Sequence, residues 1–241
     1  MDQVTTISFL RYSTFWGKLW AFGMMQFAHK PMGKIPGIEF YKLLGTGKAQ
    51  FNPRPDWSVY VVLQVWENED FARDYFLKNL LFEKYKKVAK EHWVVFCKNR
   101  ISRGEWDGGN PFQRSKTIDK EIPYVLALTR ATIKTRLLRT FWKFVPKSQT
   151  HLWDNKGLLY TKGVGEVPFK QMATLSIWKD EKSLNQFAYQ GKGHVSAIGK
   201  TRDLDWYHEE LFARFQPFKT LGVWNGEQLM PELHATGNSI K

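Results

Sequence analysis

The stretch WSVYVVLQVW at residues 57–66 returns in the same pattern as FKQMATLSIW at residues 169–178. Acidic residues and an aromatic-rich helix pattern follow both stretches. An apolar strand pattern that ends at an arginine precedes each of them, ISFLR at 7–11 and LALTR at 126–130. A chain that repeats itself in this way contains two similarly folded units. The repeat therefore decides the fold class before any functional motif is considered.

Each unit follows the order strand, helix, strand, strand, helix, strand. This order is typical of ferredoxin-like folds, in which helices cover one face of an antiparallel sheet. We predict an α+β fold in which two ferredoxin-like halves pack as an α+β barrel of the dimeric type, with an apolar pocket between the sheets or under the helices. The predicted units are a first half over 1–100, a linker over 101–122, a second half with the functional site over 123–226, and a flexible tail over 227–241.

Some elements are harder to assign from the pattern alone. We predict a single helix over 68–90, and a helix over 204–214 followed by a last strand over 217–224. GVGEVP at 163–168 is predicted to be a turn between strands, and its Glu166 either caps the turn or points inward.

Composition and charge limit the kinds of partner. Aromatic residues make up 16% of the 241 residues, which suits both a bulky core and a flat apolar ligand. The net charge of +13 favours anions. Lys and Arg are spread along the chain without a dense basic block, so we expect no nucleic-acid binding. Their interleaving with Trp and Phe suits peripheral contact with a membrane surface, and solvated lysines are the alternative.

The single cysteine, Cys97, excludes an internal disulfide and fits a reducing compartment. It lies in an apolar strand pattern, so we predict a packed core thiol. The N-terminus lacks the pattern of a signal peptide, and no apolar run approaches the ~20 residues of a membrane-spanning helix. We expect a cytoplasmic protein, with or without peripheral contact at the inner membrane.

One histidine distinguishes the two halves. The second copy carries His194 at a helix position where the first carries Phe82. Gly191 and Gly193 interrupt the helix pattern just before it, at a cost of roughly 1 kcal/mol each relative to Ala, as expected where a backbone must make way for something flat. A single axial histidine is what a haem iron needs. His194 is therefore the candidate metal and cofactor ligand, and a buried, hydrogen-bonded histidine is the alternative.

The two strand-ending arginines, Arg11 and Arg130, occupy positions that the repeat makes equivalent. A buried arginine without a partner is destabilising. Each therefore either pairs with a carboxylate from the helix layer or points into the pocket, where it holds a carboxylate or an oxygen ligand. Arg130 shares its half with His194, so it is the stronger candidate for a catalytic and cofactor-binding role.

Several longer motifs are similar to those of a known family. They are ALTRATIK at 127–134, GVGEVPF at 163–169, SIW at 176–178 and ELFARF at 210–215, with Phe15, the Leu19-Trp20 pair and WDG at 106–108 in the first half. On these motifs the chain resembles the spheroidene monooxygenase family of carotenoid biosynthesis, over nearly its whole length.

The resemblance implies an oxygen-dependent enzyme that installs a keto group on an acyclic carotenoid by successive hydroxylations at one carbon. It implies haem as the cofactor and O2 as the co-substrate, with His194 as the iron ligand. Arg130 would donate to the oxygen ligand, and Trp178 would form a catalytic wall of the pocket. Electrons must come from a partner such as a ferredoxin or its reductase, since no flavin or nicotinamide motif is present.

Two other functions are compatible with these residues. One is a different haem chemistry on the same barrel, such as aldoxime dehydration or haem degradation. The other is a non-enzymatic barrel that binds apolar ligands.

Overall fold

The computed structural model describes residues 2–48, 52–148, 152, 155–190 and 205–235. The strands are β1 (Val4–Arg11), β2 (Ile38–Lys48), β3 (Asn52–Trp66), β4 (Glu91–Gly104), β5 (Val125–Ile133), β6 (Leu158–Val167), β7 (Gln171–Trp178) and β8 (Tyr207–Gly222). The helices are α1 (Phe15–Phe27), α2 (His29–Met32), α3 (Glu69–Lys78), α4 (Leu80–Val88), α5 (Leu138–Ser148) and α6 (Glu181–Gln190), with 3-10 turns at Thr135–Leu137 and Pro231–Leu233. None of the helices in these ranges is long and apolar enough to cross a membrane.

The strands close into one antiparallel barrel in the order β1–β3–β2–β6–β7–β5–β8–β4. Strands β1 to β4 come from the first repeat and β5 to β8 from the second, so the predicted α+β barrel of two ferredoxin-like halves is confirmed. The halves meet at two unequal seams. The seam between β4 and β8 runs along β8 from Leu211 to Gly222. At the other seam, within the described residues, β2 pairs with β6 only at Gly45 and Thr46.

The register corrects the predicted equivalence of the two arginines. Arg11 lies opposite the residue seven positions before Trp66, and Arg130 lies opposite the residue five positions before Trp178. Measured from the repeated tryptophan, the two positions differ by two residues, so the prediction that they are equivalent is wrong. A shift of two keeps a side chain on the same face of a sheet, and both arginines point into the barrel.

The last strand of the structure differs from the sequence prediction. The predicted helix over 204–214 is wrong, because Tyr207–Gly222 forms one continuous strand. Leu211 and Phe215 pack in the barrel interior, while Phe212 between them is exposed. This alternation has the period of a strand. In the sequence, however, the charged residues at 209, 210 and 214 make the segment resemble an amphipathic helix.

Two further predictions differ from the structure in detail. The single helix over 68–90 is two helices that meet at Asn79. The backbone of Asn79 is extended, and its Oδ1 accepts a hydrogen bond from the Leu81 N–H at 2.8 Å, so the residue ends α3 and caps α4. The turn predicted at 163–168 is mostly strand, because β6 continues to Val167.

Apolar side chains from all eight strands fill the middle of the barrel. Cys97 is one of them and is fully buried, as predicted. The predicted linker contributes Trp106 and Phe112 to this core, and the segment after β8 contributes Met230. The linker and the described part of the predicted flexible tail are therefore packed parts of the barrel. The filled interior leaves no room for a large ligand at its centre.

The same short motif closes both ends of the barrel. GEWDG at 104–108 follows β4, and GVWNG at 222–226 follows β8. In each case a glycine with positive φ ends the strand and the tryptophan two residues later folds back over the barrel end. Trp224 lies against Arg11, with the guanidinium carbon 4.3 Å from the ring centroid. Trp106 lies 5.4 Å from Arg130 in the same way at the opposite end.

We expect the Gly222→Ala substitution to destabilise the barrel more than Gly226→Ala. Both glycines have φ of +76°, but a Cβ at Gly222 would lie 2.2 Å from the His92 carbonyl oxygen, whereas nothing lies within 4 Å at Gly226. Strain in φ alone costs about 1–2 kcal/mol, and overpacking adds about 1–3 kcal/mol. Urea unfolding of the two variants measures the difference. Equal losses in free energy of unfolding would mean that the close approach at Gly222 is not a constraint.

Candidate functional site

The outer faces of the two halves differ in how they are covered. In the first half, apolar clusters beneath the helices α1 to α4 bury Leu43, Tyr60 and Val62. In the second half, the cover that the described residues provide lies at the two ends of the strands. At one end, Phe187 of α6 stacks on Trp178. At the other, Phe141 of α5 packs on residues 206 and 207.

Between those ends, the second half carries small side chains where the first half carries larger ones. The strand registers give the following changes from the first half to the second: Leu43 to Gly163, Tyr41 to Thr161, Val62 to Thr174, Gln64 to Ser176 and Leu10 to Ala131. We call residues 129, 131, 161, 163, 174 and 176 the small-residue face. Each of these changes removes side-chain volume from the same side of the sheet, so the part of the surface formed by β5, β6 and β7 is flat and uncharged. The neighbouring strand β8 borders it with Glu210, Phe212 and Arg214.

Spare hydrogen-bonding capacity accompanies this surface. Thr129 in its middle is exposed, whereas its counterpart Ser8 is buried. Thr161 Oγ1 on the face and Asn185 Oδ1 on α6 are buried and have no hydrogen-bond partner among the described residues. Buried polar atoms are normally paired. Three residues of the face, Ala131, Gly163 and Ser176, are buried, and Thr129 is exposed. A flat surface with unpaired polar atoms suits an extended planar ligand that carries a few polar groups.

His194, the predicted iron ligand, lies outside the described residues. In the sequence it belongs to the connection from α6, which ends at Gln190, to β8, which begins at Tyr207. Both of these elements belong to the half that carries the small-residue face. Its role as metal and cofactor ligand stays a prediction.

Trp178 borders the small-residue face. It is fully buried, and its Nε1 donates a hydrogen bond to Ser176 Oγ at 2.9 Å. Its ring is stacked on Phe187, with the centroids 5.5 Å apart. The side chain therefore joins α6 to the edge of the face. The prediction that it forms a catalytic wall of the pocket is compatible with this place and stays a prediction.

Arg130 lies on the opposite side of the same sheet, inside the barrel. It is 2% exposed and forms an ion pair with Glu209, and its Nη2 lies 3.9 Å from Glu166. These carboxylates come from β8 and β6, not from the helix layer as the sequence suggested. Nε and Nη2 of Arg130 have no hydrogen-bond partner among the described residues. The sheet separates Arg130 from the small-residue face, and its catalytic and cofactor-binding roles stay predictions.

The carboxylates around Arg130 extend into a network that we call the barrel-end cluster: Arg130, Glu209, Glu166, Lys42 and Asp107. Glu166 points inward, where it accepts a hydrogen bond from the Trp106 Nε1 at 2.8 Å and pairs with Lys42. Lys42 also contacts Asp107 at 2.6 Å. The sequence predicted a functional role for Arg130 and gave two alternatives for Glu166. It did not predict Lys42 and Glu209, because their partners lie 124 and 79 residues away.

The network holds Glu209 in its charged form. Burial works against ionisation of this carboxyl, but hydrogen bonds from the Gly108 N–H and from Arg130 outweigh it, so the net effect lowers its pKa. A carboxylate with a lowered pKa stabilises the fold above its ordinary pKa, and this contribution is lost as the pH falls through the folded value.

A cavity of about 580 Å³ opens at the other end of the barrel. Its lining includes Arg11, Asp56, Tyr160, Lys162 and Trp224. Three of the charged side chains there are paired within the protein, since Lys162 contacts Asp56 at 2.7 Å and Arg11 lies 3.4 Å from a glutamate of β4. Lys48 also lines the cavity. Because three of these charged side chains are already paired, the small-residue face remains the stronger candidate for cofactor binding.

We predict that Glu209→Gln lowers the free energy of unfolding by about 3 kcal/mol at neutral pH, because it leaves Arg130 buried with only a distant carboxylate. Since the variant lacks the ionisable group, its stability falls less than that of the parent between neutral pH and about pH 4. Urea unfolding at the two pH values tests both effects. Glu210→Gln, at the exposed neighbouring position, is the control and leaves stability unchanged. A Glu209 variant that behaves like this control contradicts the assignment.

Comparison with known proteins identifies the chain's relatives. It is 37% identical over 232 residues to the spheroidene monooxygenase of Cereibacter sphaeroides, which covers 95% of this chain and 71% of that protein. It is 32% identical over 226 residues to the spheroidene monooxygenase of Rhodobacter capsulatus, covering 93% and 94% of the two chains. No protein-family model matches. Among solved structures, a crystal structure of aldoxime dehydratase is similar, with a TM-score of 0.61, 8% identity and coverage of 89% of this chain and 81% of that one. At that identity, the likeness concerns the fold alone.

Proposed function

Because the chain belongs to the spheroidene monooxygenase family and is thus a monooxygenase, we propose that it uses haem and O2 to oxidise a carotenoid or another long apolar substrate to a ketone. The reaction proceeds in two rounds at one methylene carbon. In each round, one oxygen atom enters a C–H bond and the other leaves as water, with two electrons and two protons from an external donor. The resulting geminal diol loses water and becomes the ketone.

The small-residue face is the observation that carries the haem proposal. The same fold in the first half fills this side of the sheet with Leu43, Tyr41 and Val62, whereas the second half keeps it flat. The half that keeps the face flat is also the half that contains His194. One axial histidine is sufficient to hold a haem iron. The donor set and the shape of the face therefore fit the group.

The residues of the chain would position the cofactor and substrate. Haem, when bound, would supply the reductive activation of O2 that the reaction needs. His194 would hold the metal. The hydroxyl of Thr161, which is buried and has no hydrogen-bond partner among the described residues, would gain one. Trp178 would close one end of the site. Arg130 anchors β5 to β8 beneath the face, so we assign it a positioning role that acts through the sheet.

Electrons are proposed to come from a separate protein of the ferredoxin or reductase type. The chain has no glycine-rich nucleotide motif that would bind its own flavin or nicotinamide. Its net charge of +13 favours encounter with an acidic donor protein.

The direct test is haem uptake by His194→Ala. Loss of the axial ligand is expected to abolish the Soret band that appears when haemin is titrated into the full-length protein. His208→Ala removes an exposed histidine of β8 in the same half and serves as the matched control with unchanged uptake. An unmodified protein that takes up no haemin contradicts the proposal. Product formation in the absence of O2 would instead indicate another chemistry, such as aldoxime dehydration.

The site on the sheet is tested by filling it. Thr129→Phe places a large ring in the middle of the small-residue face at an exposed position, so the fold is expected to tolerate it. We expect haem affinity to fall by about tenfold or more, equivalent to about 1.4 kcal/mol. Thr129→Ser keeps the position small and is expected to bind haem as the parent does. Equal affinities of the two variants would place the cofactor elsewhere.

A further inference from the structure

Helix α1 presents its apolar side to solvent instead of to the core. Trp16 is 74% exposed, Phe27 73% and Phe15 71%, and Leu19 and Phe22 are each about half exposed. These five residues are named the α1 face. Large apolar residues exposed in a contiguous group mark an interaction surface.

The helix geometry makes the surface continuous. At about 100° per residue, the α1 face spans an arc of about 140° on one side of the helix. Within that arc, Gln26 is the only polar side chain. Gly17 and Ala21 on the opposite side are buried against the body of the protein. Small residues thus attach the helix to the barrel and large aromatic residues point away from it.

Neighbouring elements enlarge the surface. The ring of Phe22 contacts Trp57 of β3, with the centroids 5.1 Å apart, and Trp57 is itself half exposed. A groove of about 710 Å³ runs beside the helix, and Trp16, Trp20 and Val88 are among the residues that line it. The apolar surface therefore includes a depression large enough for an acyl chain.

The charge around the α1 face is mainly positive, and the exposed Glu83 of the neighbouring α4 pairs with Lys86. Residues 3–38 contain no Asp or Glu, but they contain Arg11, Lys18, Lys30 and Lys34. Lys30 and Lys34 are exposed just beyond the end of α1. On the other side of the groove, α4 adds further exposed lysines at 84 and 87 near Val88. An apolar stripe bordered by basic side chains is the pattern of a helix that lies in the headgroup region of an anionic membrane.

We propose that the α1 face docks the protein on the surface of a bilayer that contains anionic lipids, with the helix parallel to the membrane plane. A second copy of the chain fits the surface less well, because a two-fold interface would bring the same lysines of both copies together. The inference rests on the geometry and charge of the first half and does not depend on haem binding by the second.

The experiment uses the full chain and two kinds of vesicle, pure phosphatidylcholine and phosphatidylcholine mixed with phosphatidylglycerol. The protein is expected to sediment with the mixed vesicles and to bind the pure ones far more weakly. The double variant Trp16→Ser/Phe27→Ser is expected to lose at least about tenfold in partition to the mixed vesicles. Phe212→Ser removes a half-exposed aromatic residue of β8, in the other half, and as the matched control keeps the binding of the parent.

A second variant tests the charge. Lys30→Glu/Lys34→Glu leaves the apolar residues in place and is expected to weaken binding to the mixed vesicles by roughly 25-fold or more, at roughly fivefold per basic residue. Equal binding to the two kinds of vesicle, or a Trp16/Phe27 variant that binds as tightly as the Phe212 control, overturns the proposal. So does a parent protein that is a dimer without affinity for vesicles and becomes monomeric in the Trp16/Phe27 variant, because the surface would then join two copies.

Discussion

Each end of the barrel is closed by a tryptophan that packs on an arginine, and the rest of the structure depends on that closure. Trp224 covers Arg11 at one end, and Trp106 covers Arg130 at the other. Arg130 is buried and Arg11 is about one-third exposed, and each forms an ion pair and a cation–π contact. The two tryptophans cover the apolar centre at its ends. Because the centre is both covered and filled, the molecule can diversify only on its outer faces, and that is where the two halves differ.

The divergence gives the two copies of one fold different outer surfaces. The first copy covers its sheet with helices and turns the apolar side of α1 outward. The second copy leaves the middle of its sheet flat, with Gly163 and Thr174 where the first has Leu43 and Val62. Under our two proposals, the first half contacts a membrane and the second holds the cofactor, and the shared barrel fixes the position of each half relative to the other.

The repeat ending in Trp66 and Trp178 was sufficient to predict the barrel, since both copies carry the strand pattern and the sequel of an acidic helix. It failed at β8, because Glu209 points inward to pair with Arg130 and so breaks the alternation by which a strand is recognised. The partners of the buried charges lie far apart in sequence, so these ion pairs could not be predicted from it. The small-residue face was predictable from a position-by-position comparison of the two copies. So was the second repeat, GEWDG and GVWNG, which lies just outside the strands.

The unequal seams give the barrel a preferred place of opening. Separating β2 from β6 breaks the backbone pairing at Gly45 and Thr46 and the ion pair of Lys42 with Glu166. Separating β4 from β8 instead requires the strand that also pairs with β5 to detach along most of its length. Thermal fluctuations open a structure first where the fewest hydrogen bonds must break. We therefore expect water and small solutes to enter the barrel first at the crossing of Gly45 and Gly165, with the long seam as the hinge.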